Sequence, residues 1–322
     1  MDLVLVFTAL MGLSILIYVL LDGFDLGIGM LMPAASREEQ ELMVGAIAPF
    51  WDANETWLVM GIGLLLVAFP VAHGLILGKL YLPVAAMLVA LMLRGVAFEL
   101  RVKAEGWHRE LWNWLFWAGS TLASFSQGLM LGRYVTGFGE GFGYWLFAIV
   151  VGASLCGGYV LLGATWLILR TQGELQRKSV EWARWGLAWV ALAIALVSFA
   201  TPLVSETVRS RWFDFPRTLG LMVLPAATVG IGLWVALVAP KSDTKPFGGA
   251  VAIFVLSFIG LAYSLFPYVV LDRLTVWEAA ADESALRFLG VGVAIVLPFI
   301  LGYTVYSYRV FRGKVRAGMY EH

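Results

Sequence analysis

Charged side chains occur at three places inside otherwise apolar stretches of this sequence. The stretches are 20–27 (LLDGFDLG), 49–57 (PFWDANETW) and 94–103 (RGVAFELRVK). A charge at the centre of a lipid bilayer is unfavourable by about 2.5 to 3.5 kcal/mol. Charges retained in such stretches therefore indicate either a function or a specific pairing.

The spacing of these charges groups them on common helix faces. Side chains three or four residues apart on a helix are neighbours, and an acid four residues before a lysine is the favourable order for an ion pair. The groups with such spacing are Asp22 with Asp25, Asp52 with Glu55, and Glu99 with Lys103. Desolvated, coupled carboxylates can bind and release protons near neutral pH, so the pattern is typical of a proton pathway.

A structural interpretation of the same residues remains open. In that interpretation Arg94 neutralises one or two of the acids in a buried pair, and the remaining charges extend towards the membrane surface. The two interpretations differ in whether the acids exchange protons or only hold helices together.

The composition places these residues in a membrane protein. The chain of 322 residues is 61% hydrophobic and 14% charged, with a mean hydropathy of +0.84. Its apolar runs are about 20 residues long, which suits helices that cross a bilayer and exceeds the length of barrel strands. A net charge of zero without a basic stripe argues against a nucleic-acid partner. We therefore predict an all-α polytopic membrane protein.

Nine apolar segments are predicted to span the membrane. No connection between them is long enough for a soluble domain, so residues 1–322 are interpreted as a single transmembrane domain. The lone cysteine, Cys156, lies within an apolar run and is interpreted as a packing residue. The predicted spans are 4–32, 47–71, 75–101, 111–131, 145–168, 185–204, 219–238, 250–270 and 288–310.

The basic residues choose between the two possible orientations. With the N-terminus outside, roughly twice as many Lys and Arg residues lie on the cytoplasmic side as on the opposite side, as the positive-inside rule requires. We therefore predict a cytoplasmic C-terminus. In this orientation the charged groups of the first three spans share the cytoplasmic half of the membrane.

The charged segments also resemble those of a known family. LDGFDLGIG at 21–29, WDANETWLV at 51–59 and RGVAFELR at 94–101 are similar to signature segments of subunit II of cytochrome bd-type quinol oxidases. The ETW form at 55–57 resembles the cyanide-insensitive branch. RTQGEL at 170–175 and TVWEA at 275–279 support the resemblance, which covers essentially the whole chain.

The resemblance implies an architecture and a partner. It implies two four-helix bundles plus one peripheral helix, with a first bundle at about 1–135, a second bundle with the last helix at about 142–312, and a cytoplasmic tail at 313–322. It also implies a bacterial inner membrane, a periplasmic N-terminus, and a subunit I that carries haem b and haem d. The complex would oxidise quinol and reduce oxygen to water. A small single-helix subunit, and lipid or quinone bound to this chain, are left open.

The positions of the histidines favour haems that are bound by the partner rather than by this chain. Haem requires axial ligands such as His, Met or Cys. The three histidines are His73, His108 and His322, and none of them falls in the middle of a predicted span. We therefore expect no cofactor, metal or catalytic residue on this chain.

The resemblance also implies roles for individual residues. Asp52 matches a buried proton-route aspartate of the family, and Glu99 and Lys103 match residues near its cytoplasmic entrance. The candidate proton pathway comprises Asp52, Glu99, Lys103, Asp25 and Glu55. The candidate structural polar network comprises Asp22, Arg94 and Arg101.

Two other functions fit some of these features. A proton-coupled secondary transporter also has intramembrane acids and glycine-rich helices, although carriers usually place their site near the membrane midplane. A purely structural partner subunit would have no need for proton transfer.

Overall fold

A computed structural model describes residues 2–204, 206–215 and 217–315 of the chain. Residues 316–322 of the predicted tail, including His322, lie outside this part. A 3-10 turn, Met32–Ala34, follows the first helix, and two short strands, β1 (Tyr268–Val270) and β2 (Leu274–Thr275), pair antiparallel. The helices are α1 Leu3–Leu31, α2 Arg37–Ile47, α3 Trp51–Ala68, α4 Pro70–Lys103, α5 Gly106–Val135, α6 Phe142–Arg170, α7 Gly173–Val204, α8 Glu206–Trp212, α9 Arg217–Leu221, α10 Val223–Val238, α11 Lys245–Leu265, α12 Val276–Ala279 and α13 Glu283–Val310.

The long helices confirm the prediction of an all-α polytopic membrane protein. Within the described residues, seven segments are long and apolar enough to cross a membrane, and they contain α1, α4, α6, α7, α10, α11 and α13. The two remaining predicted spans, 47–71 and 111–131, coincide with α3 and α5. The first turns of α3 contain Asp52, Asn54 and Glu55, which lower its hydropathy.

Some predicted boundaries were wrong. The span predicted at 47–71 is interrupted, because α2 ends at Ile47 and α3 begins only at Trp51. The half of α2 next to this break is buried, so the irregular connection is enclosed by protein, where non-helical backbone is tolerated. Pro70 begins α4, since proline suits the first turn of a helix. The span predicted to end at residue 270 ends at Leu265, before β1.

Helix α1 lies at the centre of the packing. It contacts α3, α5 and α6, while α4 contacts α3 and α5. On the other side α6 contacts α7 and α11, and α10 contacts α7 and α11. The last helix, α13, packs against α3 and α1. The division into bundles near residues 135 and 142 stays a prediction.

The first turn of α2 is held by a capping box and by an ion pair to α7. The Ser36 hydroxyl accepts from the Glu39 backbone N–H, and the Glu39 carboxylate accepts from the Ser36 N–H, which is a capping box. Lys178 of α7 donates to the same carboxylate at 2.9 Å. Burial alone would raise the pKa of Glu39, but the hydrogen bonds from Ser36 and Lys178 outweigh it and lower that pKa. The carboxylate therefore stays ionised as an anchor between α2 and α7.

Two glycines allow α1 and α6 to cross at short range. A Cβ atom added at Gly27 would lie 1.8 Å from the Tyr159 carbonyl oxygen, and one at Gly163 would lie 2.6 Å from the Ile28 nitrogen. Small residues permit this kind of close backbone approach between membrane helices. The crossing sets the position of the adjacent turns of α1, which contain Asp22 and Asp25.

We predict that Gly27→Ala destabilises the protein by about 1 to 3 kcal/mol, because the added methyl group overpacks a backbone contact. The measurement is the thermal unfolding midpoint of the purified membrane complex. The matched control is Gly78→Ala on α4, where an added Cβ meets nothing within 4 Å. An equal midpoint for the two variants would contradict the close crossing of α1 and α6.

Candidate functional site

Arg94 on α4 is surrounded by three carboxylates. Its Nη1 donates to Asp22 Oδ1 at 2.6 Å and lies 3.5 Å from Glu55 Oε1. Its Nη2 lies 3.9 Å from Asp25 Oδ2. The side chains of Arg94, Asp22 and Asp25 are 0% exposed, and that of Glu55 is 30% exposed. We call these four residues the Arg94 cluster.

Three helices supply the cluster, and a fourth covers it. Asp22 and Asp25 lie one turn apart on α1, Glu55 lies on α3 and Arg94 on α4. Gly119 of α5 allows the covering helix to approach closely, because a Cβ atom there would lie 2.8 Å from the Ala90 carbonyl oxygen and 3.0 Å from the Arg94 nitrogen. The indole of Trp51 lies 5.9 Å from the Arg94 guanidinium carbon. The guanidinium is therefore enclosed by protein on several sides.

An amide links the cluster to the last helix. Asn54 donates through Nδ2 to Asp25 Oδ2 at 2.8 Å and to the Leu21 carbonyl at 3.3 Å. The Tyr308 hydroxyl of α13 donates to Asn54 Oδ1 at 3.0 Å. Sequence reasoning missed the roles of Asn54 and Tyr308. The position of Asn54 between Asp52 and Glu55 was a usable signal, whereas nothing in the sequence indicates that Tyr308 reaches α3.

Aromatic rings hold this link in place. Phe50 stacks on Tyr308 with ring centroids 4.4 Å apart, and Phe24 stacks on Trp166 at 4.2 Å. The Trp166 ring also contacts both Phe50 and Tyr308 edge-on. These contacts order the chain at the break between α2 and α3.

A second row of polar side chains begins beside Asp22. Tyr18 lies one turn before Asp22 on α1 and interacts with it electrostatically. Gln127 of α5 donates to the Tyr18 hydroxyl at 2.8 Å, and the Tyr159 hydroxyl of α6 donates to Gln127 Oε1 at 2.6 Å. This row was also missed, because its members come from three separate spans.

Three predicted pathway residues lie on the surface of the chain. Asp52, Glu99 and Lys103 are exposed on this chain. The described ion pairs do not include the predicted pair of Glu99 with Lys103, and both side chains point outward. Asp52 and Glu99 are nevertheless close to a contact between α3 and α4. Asp52 follows Trp51 in the sequence and Glu99 follows Phe98, and the rings of Trp51 and Phe98 are 4.9 Å apart.

Arg101 belongs to a different polar group. It is buried and donates to Asn113 Oδ1 at 2.7 Å and to Glu41 Oε1 at 2.8 Å. Arg109 pairs with the same Glu41 carboxylate. A cavity of about 330 Å³ beside this group is lined by α2 and the start of α5. Helix α4 therefore brings the two arginines of the predicted structural polar network to separate partners, Arg94 to Asp22 and Arg101 to Glu41 and Asn113.

The two histidines in the described part of the chain lie near the starts of helices. His73 lies in the first turn of α4, and His108 is exposed in the first turn of α5 with its ring stacked on Trp107. No group of three or more His, Cys, Asp or Glu side chains in the described part could hold a metal ion.

Comparisons with known proteins place the whole chain in one family. The family model described as "Cytochrome bd terminal oxidase subunit II" matches residues 3–311. The chain belongs to this family. Cytochrome bd ubiquinol oxidase subunit 2 of Bacillus subtilis (strain 168) is 29% identical over 92% of this chain and 91% of that protein. Cytochrome bd-I ubiquinol oxidase subunit 2 of Escherichia coli (strain K12) is 27% identical over 95% and 93%.

The fold agrees with a solved structure as well. The bd oxidase from Geobacillus thermodenitrificans has a chain that matches with a TM-score of 0.61 at 11% identity, over 96% of this chain and 99% of that chain. This cytochrome bd subunit II is therefore a multi-pass component of a quinol oxidase complex in the bacterial inner membrane. The break between α2 and α3 resembles broken helices of carriers, but the family match favours the oxidase interpretation over a proton-coupled transporter.

We predict that Arg94→Met strongly reduces the yield of assembled complex. Removing one partner of a buried ion pair typically costs about 3 to 5 kcal/mol, because the remaining charges lose their compensation. The measurement is the haem absorbance of the purified complex relative to total subunit II.

The control for this prediction is Arg37→Met. Arg37 pairs with Glu110 on the surface with 76% of its side chain exposed, and surface pairs contribute about 0 to 1 kcal/mol. Equal yields for the two variants would show that the Arg94 cluster does not stabilise the subunit.

Proposed function

We propose that this chain supports a haem-bearing subunit I and contributes a route for protons from the cytoplasm to the oxygen-reducing site. In this proposal Glu99 and Lys103 lie near the entrance, Asp52 passes protons at the surface of the chain, and Glu55 and Asp25 continue the route inward. Haem b and haem d are bound by the partner, quinol is oxidised by the complex, and oxygen is reduced to water there.

The observation that best supports this proposal is the course of α3. Asp52 is exposed on its first turn, and Glu55 lies three residues later with a part-buried side chain. The Glu55 carboxylate in turn lies 3.5 Å from Arg94 Nη1, which also donates to the buried Asp22 of α1. Exposed and buried carboxylates thus follow one another on a single helix, which is what transfer between a surface and an interior requires.

The surroundings of Asp52 support a partner at this face. Thr56, Val59, Ile62 and Leu66 continue the exposed face of α3 beyond Asp52. A carboxylate that faced lipid on such an apolar surface would be unfavourable by about 2.5 to 3.5 kcal/mol near the bilayer centre. We infer that subunit I covers this face and supplies polar groups opposite Asp52.

Several finer assignments belong to the same proposal. The N-terminus is periplasmic and the C-terminus is cytoplasmic, on the charge asymmetry of the loops. The ETW segment at 55–57 resembles the cyanide-insensitive branch of the family. Arg101, Glu41 and Asn113 act as a structural anchor at the cytoplasmic end, beside the entrance. A small third subunit and a lipid or quinone on this chain are compatible with the exposed apolar helix faces.

We predict that Asp52→Asn lowers quinol-driven oxygen consumption by a factor of ten or more while the haem spectrum is retained. The amide keeps the shape of the side chain but cannot bind and release a proton. The measurement is oxygen uptake by the purified complex at saturating quinol, normalised to haem content.

Two controls separate proton transfer from local structure. Thr56→Val changes the next turn of the same exposed face, and Glu174→Gln removes an exposed acid of α7 that pairs with Arg177. Both are expected to retain turnover close to that of the unmodified complex. Normal turnover in Asp52→Asn would support the purely structural role instead.

A further inference from the structure

The charges of the Arg94 cluster do not balance when all its acids are ionised. Asp22, Asp25 and Glu55 each lie within 4 Å of Arg94, and the described ion pairs give these acids no other cation. Three carboxylates and one guanidinium would leave two uncompensated negative charges. Because the cluster is almost completely buried, such a charge would cost many kcal/mol in desolvation. Like charges this close do not all remain ionised.

The distances distinguish the three acids. Asp22 accepts directly from Arg94 Nη1 at 2.6 Å, the short distance of a charge-assisted hydrogen bond. Asp25 lies 3.9 Å from the guanidinium and accepts from the neutral amide of Asn54. Glu55 is 3.5 Å from the same Nη1 that already donates to Asp22. Asp22 is therefore the ionised partner of Arg94, and the other two acids lack a cation of their own.

Buried atoms without hydrogen bonds give a second, independent indication that some of these acids are protonated. Among the described residues, Asp22 Oδ2, Asp25 Oδ1 and Glu55 Oε1 are buried without a hydrogen-bond partner. Buried polar atoms in native proteins almost always have such a partner. A proton on Asp25 and another on Glu55 would convert one acceptor oxygen of each acid into an O–H donor. Arg94 Nε and Nη2 also make no hydrogen bond, and the positive charge of the guanidinium opposes a metal cation in the same space.

We propose that the Arg94 cluster is a two-proton binding site, with one proton on Asp25, one on Glu55, and Asp22 as the permanent counter-ion of Arg94. Each proton binds a carboxylate oxygen as an O–H bond, and its release restores the carboxylate without any change in oxidation state. Other titratable groups near the site are Tyr18 and Tyr159 near Asp22 and Tyr308 behind Asn54, while Asp52 lies one turn before Glu55 and faces outward. Glu55 is the member of the pair that reaches the surface.

This inference deepens the proposed proton route and is tested without turnover. Infrared difference spectra of the purified resting complex in H2O and D2O report the C=O bands of protonated carboxyl groups. Asp25→Asn and Glu55→Gln are each expected to remove one such band at neutral pH. Asp25→Glu and Glu55→Asp keep an acid and are expected to move the band. Glu174→Gln, a surface acid paired with Arg177, is expected to remove none.

The outcomes separate the site from the route. Loss of one band in each amide variant supports the two-proton site, and the acid-retaining variants decide the matter if an amide variant does not assemble. Spectra that are unchanged by both amide variants, or a band lost in only one, overturn it. If both carboxyl bands are found but Asp52→Asn has normal turnover, the two-proton site is supported and the proton route through Asp52 is contradicted. If neither band is found but Asp52→Asn has impaired turnover, the route is supported and the two-proton site is contradicted.

Discussion

The fold depends on the burial of one guanidinium inside a membrane bundle. Arg94 cannot remain in an apolar environment without anions, and α1 and α3 supply them as Asp22, Asp25 and Glu55. This requirement sets the rotation of three helices at once, because each must turn its polar side chains towards the same point. The close approach of α5 at Gly119 then excludes lipid from the cluster. Ion pairs that would contribute little stability at a water-exposed surface therefore fix the orientation of the helices in the first half of the chain.

The interruption between α2 and α3 serves the same cluster. A continuous helix from residue 47 would give one regular face, whereas the break lets α2 enter the bundle and α3 begin beside Asp25. The break is tolerated within the bundle because protein, including the rings of Phe50, Trp166 and Tyr308, surrounds the connection. The first two rings also hold Tyr308, which reaches Asn54 from the far end of the sequence. Tyr308 therefore both packs against the aromatic rings and supplies a hydrogen bond to Asn54.

The contrast between Asp52 and the buried acids explains why this chain is suited to work beside a partner. Within the chain the Arg94 cluster is enclosed, but the acid one turn away on α3 faces outward. Arg101 and its partners form a separate group nearer the end of α4, so anchoring and the proposed proton route use different residues.

The sequence by itself determined the membrane class, the number and approximate position of the long helices, and the presence of acids and bases within the first three of them. These follow from the length of apolar runs and from helical periodicity, which are local properties. Only the tertiary structure decided that Asp22 is the close partner of Arg94, that Arg101 pairs elsewhere, that Asp52 is exposed, and that Tyr308 contacts Asn54. Those outcomes depend on which helix faces meet and where a helix breaks, and neither is encoded by spacing along one segment.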